Sequence, residues 1–567
     1  YADCVRGVGG SGPCDHRAGG GGSDLSTLVR YFHTVRHLKP VQIAARARLL
    51  LTRPRLDLHA APQRRALVGS YVEPVASVAT LLGPDLFRFL GVERCCAVAA
   101  DWEPSDAAKL WSYNLHYFDD LNARGGAGRT AWHRALLERW VKEVAAGEGQ
   151  GWEAYPLSRR IVNWVKWSAR GHLLPPQCHS SLAVQARWLM SRLEYHILGN
   201  HLLMNAKALV HAGLYFSGPE ADKWYSRGMS ILARELDEQV LADGGHFELS
   251  PMYHAAALED LLDLINILRA HGRFVPAEFP GAVQRMRSWL TAMTHADGEI
   301  AFFNDAAFGV APTLAELNDY AGRLLLPAPP ALTQPLTVLK SSGYVRAVAG
   351  TACLICDCAP VGPDYLPGHA HADTLSFELS VGRQRVLVNS GTSQYGLGAE
   401  RLRQRGTAAH NTVVVDGQDS SEVWSGFRVA RRARAMLRSA AATPNPTIEG
   451  SHNGYRRLRG RNEHKRRWVL DARSLRIEDY ISGTFRSAEA RFHTPPGVEV
   501  HKSGGHEVSI RWSEHGSARL MFDGAAAVEV VDDTWHPRFG ESQPSRCVSA
   551  RFAGPTLRTW LCWEAAV

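Results

Sequence analysis

A large helical domain followed by an antiparallel β-sandwich is the fold class that this chain predicts, on three observations. At 567 residues it is too long for a single hydrophobic core, so at least two large domains are expected. From Trp111 to about Leu325 the apolar residues recur at three-and-four spacing, the signature of amphipathic helices. After the proline cluster Pro327-Ala-Pro-Pro330 the period falls to two, in short runs bounded by turn signals such as Asp416-Gly417 and Asp523-Gly524.

Residues 1–23 are Gly-rich, lack an initiating Met and an apolar core, and so read as a disordered tail rather than a signal peptide. Leu25 to Leu51 reads as Arg-rich amphipathic helix broken by Pro40 and stopped near Pro54, whereas 55–105 shows no clear period. Helical stretches follow near 132–146, 156–171, 180–197, 201–216, 221–240, 253–272 and 281–295. Short Gly-, Pro- or Asp-marked loops join them, which gives antiparallel hairpins and hence a bundle, solenoid or toroid. Strands are expected at 345–348, 375–379, 385–388, 412–415, 466–470, 475–481 and 508–512. The domains therefore divide as tail 1–23, helical domain 24–330 and sandwich 331–567.

Composition excludes several classes. No run of 18 apolar residues exists, so nothing spans a membrane as a helix. Ten cysteines in this length are not a disulfide scaffold, and Cys353, Cys356 and Cys358 sit among apolar neighbours as core thiols. The net charge of +8 suits an acidic partner without naming it. The basic runs Arg401–Arg405 and Arg456–Arg467 read as solvated faces, and with few aromatics beside them nucleic-acid binding is not expected.

The chemistry concentrates in a few stretches. Gly368-His-Ala-His-Ala-Asp373 sets His369, His371 and Asp373 at alternate positions, on one face if the following strand begins that early, or else in a polar loop whose imidazoles cap backbone groups. Gly199-Asn200-His201 opens a helix, where Asn200 either caps the backbone or offers an amide to a carboxylate, and His201 shares a face with Asn205. Ser250-Pro251 is a good N-cap and first-turn pair, which puts Tyr253 in the first turn, where the helix dipole favours a phenolate. His246, Glu248 and His254 complete a dense polar cluster. Asn114 and Tyr117, then Tyr155, Arg159 and Asn163, supply rings, amides and a guanidinium that either grip an anionic sugar chain or pack between helices.

Together these blocks resemble the heparinase II/III-like polysaccharide lyases. The resemblance rests on Asn200-His-Leu-Leu-Met-Asn-Ala-Lys-Ala-Leu209, Gly245-His-Phe-Glu-Leu-Ser-Pro-Met-Tyr253, Phe303-Asn-Asp305, Gly368–Asp373, Val388-Asn-Ser-Gly-Thr392 and Ala409-His-Asn-Thr-Val413. It implies an N-terminal (α/α) toroid, a C-terminal antiparallel β-sandwich, and β-elimination at a uronic acid of an acidic polysaccharide. In that scheme Asn200 with His369 neutralises the carboxylate beside C5, Tyr253 serves as acid and also as base, and His201 is the second base. Asn114, Tyr117, Tyr155, Arg159 and Glu248 are the expected substrate contacts. The resemblance also implies one structural zinc at His371, Asn389 and His410, although Asn389 stands where metal-binding members carry Asp; no organic cofactor is expected. Met204 stands where some members carry Glu. Family resemblance places the protein in the periplasm or outside the cell, and the sequence leaves monomer and homodimer both open. Two alternatives differ in class: a non-catalytic polysaccharide-binding or export accessory protein, and a glycoside hydrolase on a similar toroid, for which Glu248 and Asp305 are available although no carboxylate pair stands out.

Overall fold

The structure is a computed structural model and describes residues 22–513 and 516–564. The expected disordered tail lies outside those residues except for Gly22 and Ser23, which open the first helix. Among the described residues the helices are α1 (Gly22–Val35), α2 (Pro40–Leu51), α3 (Lys109–Tyr117), α4 (Thr130–Glu143), α5 (Ala154–Ala169), α6 (Pro176–Ser191), α7 (Gly199–Tyr215), α8 (Pro219–Gln239), α9 (Pro251–Ala270), α10 (Glu278–Ala292), α11 (Leu314–Arg323) and α12 (Ala399–Arg405). Pro40 separates α1 from α2 by taking the first turn of α2, where its missing N–H leaves no bond unmade. The patternless stretch 55–105 holds a two-stranded ribbon, Leu86–Phe89 against Val92–Cys95.

The helices form a toroid with α7 near its centre. Almost every side chain of α7 is buried, its polar Asn205, Lys207 and His211 hydrogen-bonded inside the protein, and each fully buried leucine there contributes about 1.5–3 kcal/mol. Gly213 lets α8 approach closely: a Cβ would meet Tyr225 N at 2.5 Å and Ala221 O at 2.7 Å.

Every strand pairing described in the C-terminal half is antiparallel. One sheet of eight strands orders 435–441, 447–452, 464–471, 474–481, 556–563, 516–523, 507–513 and 499–502. A four-stranded sheet (527–535, 543–552, 488–494, 413–415) and a five-stranded sheet (336–339, 344–349, 352–357, 377–381, 384–387) complete the sandwich. Strict alternation of buried and less buried residues along 464–471 and 474–481 marks one core face and one wetter face.

Two expectations fail for physical reasons. The strand after the His-rich stretch begins only at Phe377, because Leu375 takes a left-handed φ of 61°, so 368–373 is loop and its residues share no strand face. The run Arg401–Arg405 is not a solvated face: it lies on α12, with Arg401 and Arg405 fully buried, and in the second run Arg466 is buried against Asp479. Each of these guanidiniums found a buried carboxylate or carbonyl, which sequence spacing does not reveal.

Polar ties fix the domains together. Tyr344 Oη donates to Leu249 O at 2.7 Å and Trp289 Nε1 to Ser342 Oγ at 2.9 Å. The N-terminal helices bridge the two halves: Trp424 Nε1 donates to Thr34 Oγ1 at 3.1 Å and Gln42 Nε2 to Ile197 O at 3.1 Å. No helix among the described residues is long and apolar enough to cross a membrane.

Candidate active site

A cavity of about 1600 Å³ opens between toroid and sandwich. Asn200, His201, Tyr253 and His369 all line it, and so do Asn114, Tyr117, Tyr155 and Arg159. Residues far apart in sequence thus reach one space. Glu248 does not line it; the chain places this residue behind Asn200. His246 and His254 are wholly buried and serve packing, with His254 Nε2 donating to Met286 O at 2.9 Å.

Asn200 is in the first turn of α7, not a cap. Its backbone N–H and its Nδ2 both donate to Glu248 at 3.1 Å, so the carboxylate orients the amide. That contact depends on glycine at 199, where φ is +56° and a Cβ would lie 2.8 Å from Glu248 Oε1 and 2.2 Å from Leu366. His201 is oriented in the same way by Glu194, whose Oε1 accepts from Nδ1 at 3.0 Å while Oε2 accepts from Asn205 Nδ2 at 2.9 Å. Burial would raise the Glu194 carboxyl, but the charge and hydrogen bond of His201 outweigh it and lower it. The Tyr155 ring lies over His201 with centroids 4.5 Å apart.

Ser250 caps α9, its Oγ accepting from Tyr253 N at 3.2 Å, and so fixes Tyr253 in the first turn as expected. The Tyr253 hydroxyl bonds that of Tyr395 at 2.8 Å, and its ring lies 3.9 Å from the His369 ring. The expected phenolate does not hold. Burial, with Tyr395 and Asp305 nearby, pushes the hydroxyl well above 10, so the weak dipole term loses. His369 Nδ1 donates to Asp305 Oδ2 at 2.8 Å. Asp305 is wholly buried and is gripped by both guanidinium nitrogens of Arg401, Nη2 at 2.7 Å. Burial alone would raise it, yet Arg401, His369 and His371 hold it well below the usual carboxylate range. A fixed carboxylate therefore sets the His369 tautomer.

Of the three expected metal ligands, Asn389 has both atoms of its amide in hydrogen bonds to the protein. Its Nδ2 donates to Phe302 O at 2.8 Å and its Oδ1 accepts from Asn411 N at 3.1 Å. His371 Nδ1 and His410 Nε2 do approach, at 3.1 Å, and the buried Asp373 joins them, with one ligand atom from each residue lying within 4.8 Å of the others. The positioning groups Glu194, Tyr395 and Arg401 carry no local sequence signal; Tyr395 falls just past the block ending at Thr392, and Arg401 hides in a basic run.

The family models described as Heparinase II/III N-terminus and Heparinase II/III-like, C-terminal match residues 177–322 and 331–560. FtsZ-localized protein C of Caulobacter vibrioides is 28% identical over 432 residues, 71% of this chain and 72% of that protein. A heparin-sulfate lyase of Bacteroides stercoris is 27% identical over 251 residues, 41% of this chain and 38% of that protein. The chain thus spans little more than a third of the length of the lyase relatives it matches. The solved structure of heparinase III shares the fold, with a TM-score of 0.66 over 95% of this chain and 88% of that one at 18% identity. The two family models together match well over half of the chain and the fold is that of heparinase III, so the chain belongs to the heparinase II/III-like family.

Proposed function

We propose that this protein is a polysaccharide lyase that cleaves a uronic-acid polymer by β-elimination, and that it works in the periplasm or outside the cell. The observation that carries this is the convergence on one cavity of an oriented amide, a carboxylate-backed imidazole and a protonated tyrosine (Asn200, His201 and Tyr253) beside His369. Loss of the C5 proton needs the adjacent carboxylate neutralised, a base, and an acid for the C4 oxygen. Asn200, whose Nδ2 is held by Glu248, lines the cavity as the neutral amide set against the substrate carboxylate. His369, when protonated, adds the donor that Asp305 orients. Glu194 takes the Nδ1–H of His201, which makes Nε2 the basic nitrogen and suits His201 to remove the C5 proton. Electrons of the C5–H bond then form C4=C5, the C4–O bond breaks, and Tyr253 protonates the leaving oxygen.

The wall chemistry favours a polymer with a single carboxylate per repeat. Ten acidic and ten basic side chains line the cavity, so the +8 of the chain lies elsewhere. Most of the wall cations are already paired, as in Arg159 with Asp119 at 2.9 Å, Lys109 with Glu153 at 3.2 Å and Lys207 with Asp260 at 2.7 Å. Heavily sulfated chains would bring anions with few cations to meet them. Hydrolysis is poorly served, because Glu248 and Asp305 are engaged in holding Asn200 and His369.

A second reading has one supporting observation. The relative aligned over 71% of the chain is named for its localisation with FtsZ rather than for catalysis, which fits a binding protein that keeps the fold. Ultraviolet absorbance of the new C4=C5 bond, followed on a panel of acidic polysaccharides, separates the two. Growth on one polymer supports elimination, and silence on all of them favours binding.

A further inference from the structure

Arg192 lines the cavity but draws no counter-charge from the protein. Seven of the ten Lys and Arg side chains on that wall sit in ion pairs with Asp or Glu. Among the described residues the Arg192 guanidinium is in no ion pair and no hydrogen bond, and its Nε is shut off from water with nothing to accept from it. Arg192 ends α6 one turn after Trp188, which sets the guanidinium 4.8 Å from the centre of the indole. Trp188 is held in turn, its Nε1 donating to Trp152 O at 3.1 Å. The cation is thus fixed in place and left unneutralised. Burial, with no acidic group to offset it, lowers the guanidinium from its ordinary value. The negative end of α6 favours a cation at this point, yet its carbonyls leave Nε without an acceptor.

The surroundings repeat the pattern. His196, four residues on, also lines the cavity, and its buried Nδ1 has no partner either. Burial pulls this imidazole down to about 4, with Arg46 and His201 adding to the effect and Glu194 opposing it, so it is neutral at pH 7. Glu194, the acid of this corner, is engaged with His201 and Asn205. An unpaired donor shut off from water is costly, and an acceptor brought by a ligand removes that cost. We infer that Arg192, stacked on Trp188 and flanked by His196, is a subsite for the carboxylate of a second uronate in the polymer. The planar fork of an arginine takes a carboxylate in two parallel hydrogen bonds. Asn200 and His369 take the carboxylate of the cleaved sugar, so this one belongs to a neighbouring repeat. The inference rests on the lyase reading above and narrows it to a substrate with uronates in more than one repeat.

The test uses the full chain with alginate, hyaluronan and unsulfated chondroitin. Binding is read by calorimetry in the Tyr253→Phe background, and KM and kcat by ultraviolet absorbance with Tyr253 intact. Arg192→Gln should weaken binding and raise KM at least about tenfold, with kcat kept within about threefold. Arg192→Lys, which keeps the charge but not the fork, should fall between the two, and it serves also if Arg192→Gln does not fold. Lys109→Gln removes the same charge from a cation already paired with Glu153 and should change binding by less than about threefold. Unchanged binding and KM in Arg192→Gln would overturn the subsite, as would an equal loss in Lys109→Gln, which would mean that wall charge acts only in bulk. A fall in kcat at constant KM would place Arg192 on the reacting sugar and overturn it too. Absence of both binding and absorbance in the parent proteins would instead sink the lyase reading, and the subsite with it.

Discussion

Tyr253 sits where burial and two neighbours oppose its ionisation, and this sets the sign of its pH response. A hydroxyl raised well above 10 keeps its proton to higher pH, so a general acid stays loaded. The rate of elimination should therefore show no fall from tyrosine ionisation below about pH 10; a fall centred near pH 8–9 that vanishes in Tyr253→Phe would contradict it. Asp305 responds in the opposite sense. Its folded-state value is depressed, so its contribution to stability is present above the ordinary carboxylate range and is lost as pH falls through the folded value. Arg401→Met strands that buried charge and should cost about 3–5 kcal/mol at pH 7. The deficit in thermal unfolding should shrink as pH drops below about 4, and a deficit under about 1 kcal/mol at pH 7 would contradict the pairing. That Asn200, His201, Tyr253 and His369 would share one cavity was legible because each stands in a short polar block. Glu194, Tyr395 and Arg401 were not, since a residue that acts by orienting another is defined by a contact across 7, 142 or 96 positions.

Helices and strands were legible where periodicity ran long. The seven helical stretches from 132 to 295 fall on α4 to α10, and Ser250-Pro251 marked the start of α9 to the residue. The ribbon at 86–95 escaped notice because two four-residue strands carry too little pattern. At Gly213, propensity and packing compete. Alanine would favour the helix by about 1 kcal/mol, but its Cβ would press on the backbone of α8 at 2.5–2.7 Å. Packing should win: Gly213→Ala is expected to destabilise by about 1–3 kcal/mol, measured by denaturant unfolding, and a stabilised variant would show that α8 yields.

At the scale of the whole molecule, a large cavity takes its floor and walls from both halves. Toroid helices supply Asn200, His201 and Tyr253, and sandwich loops supply His369 and Tyr395, so the site exists only when the domains are docked. Docking was beyond the sequence, because it rests on buried contacts such as Tyr344 with Leu249 that leave no local period. The most direct measurement is ultraviolet absorbance during incubation with unsulfated uronate polymers and with heparin, for wild type and Tyr253→Phe. Wild type should gain absorbance on an unsulfated polymer, and Tyr253→Phe should lose at least about a hundredfold of that rate while still binding the chain. Equal rates in the two proteins would contradict the role of Tyr253, and binding without absorbance on any polymer would contradict elimination itself.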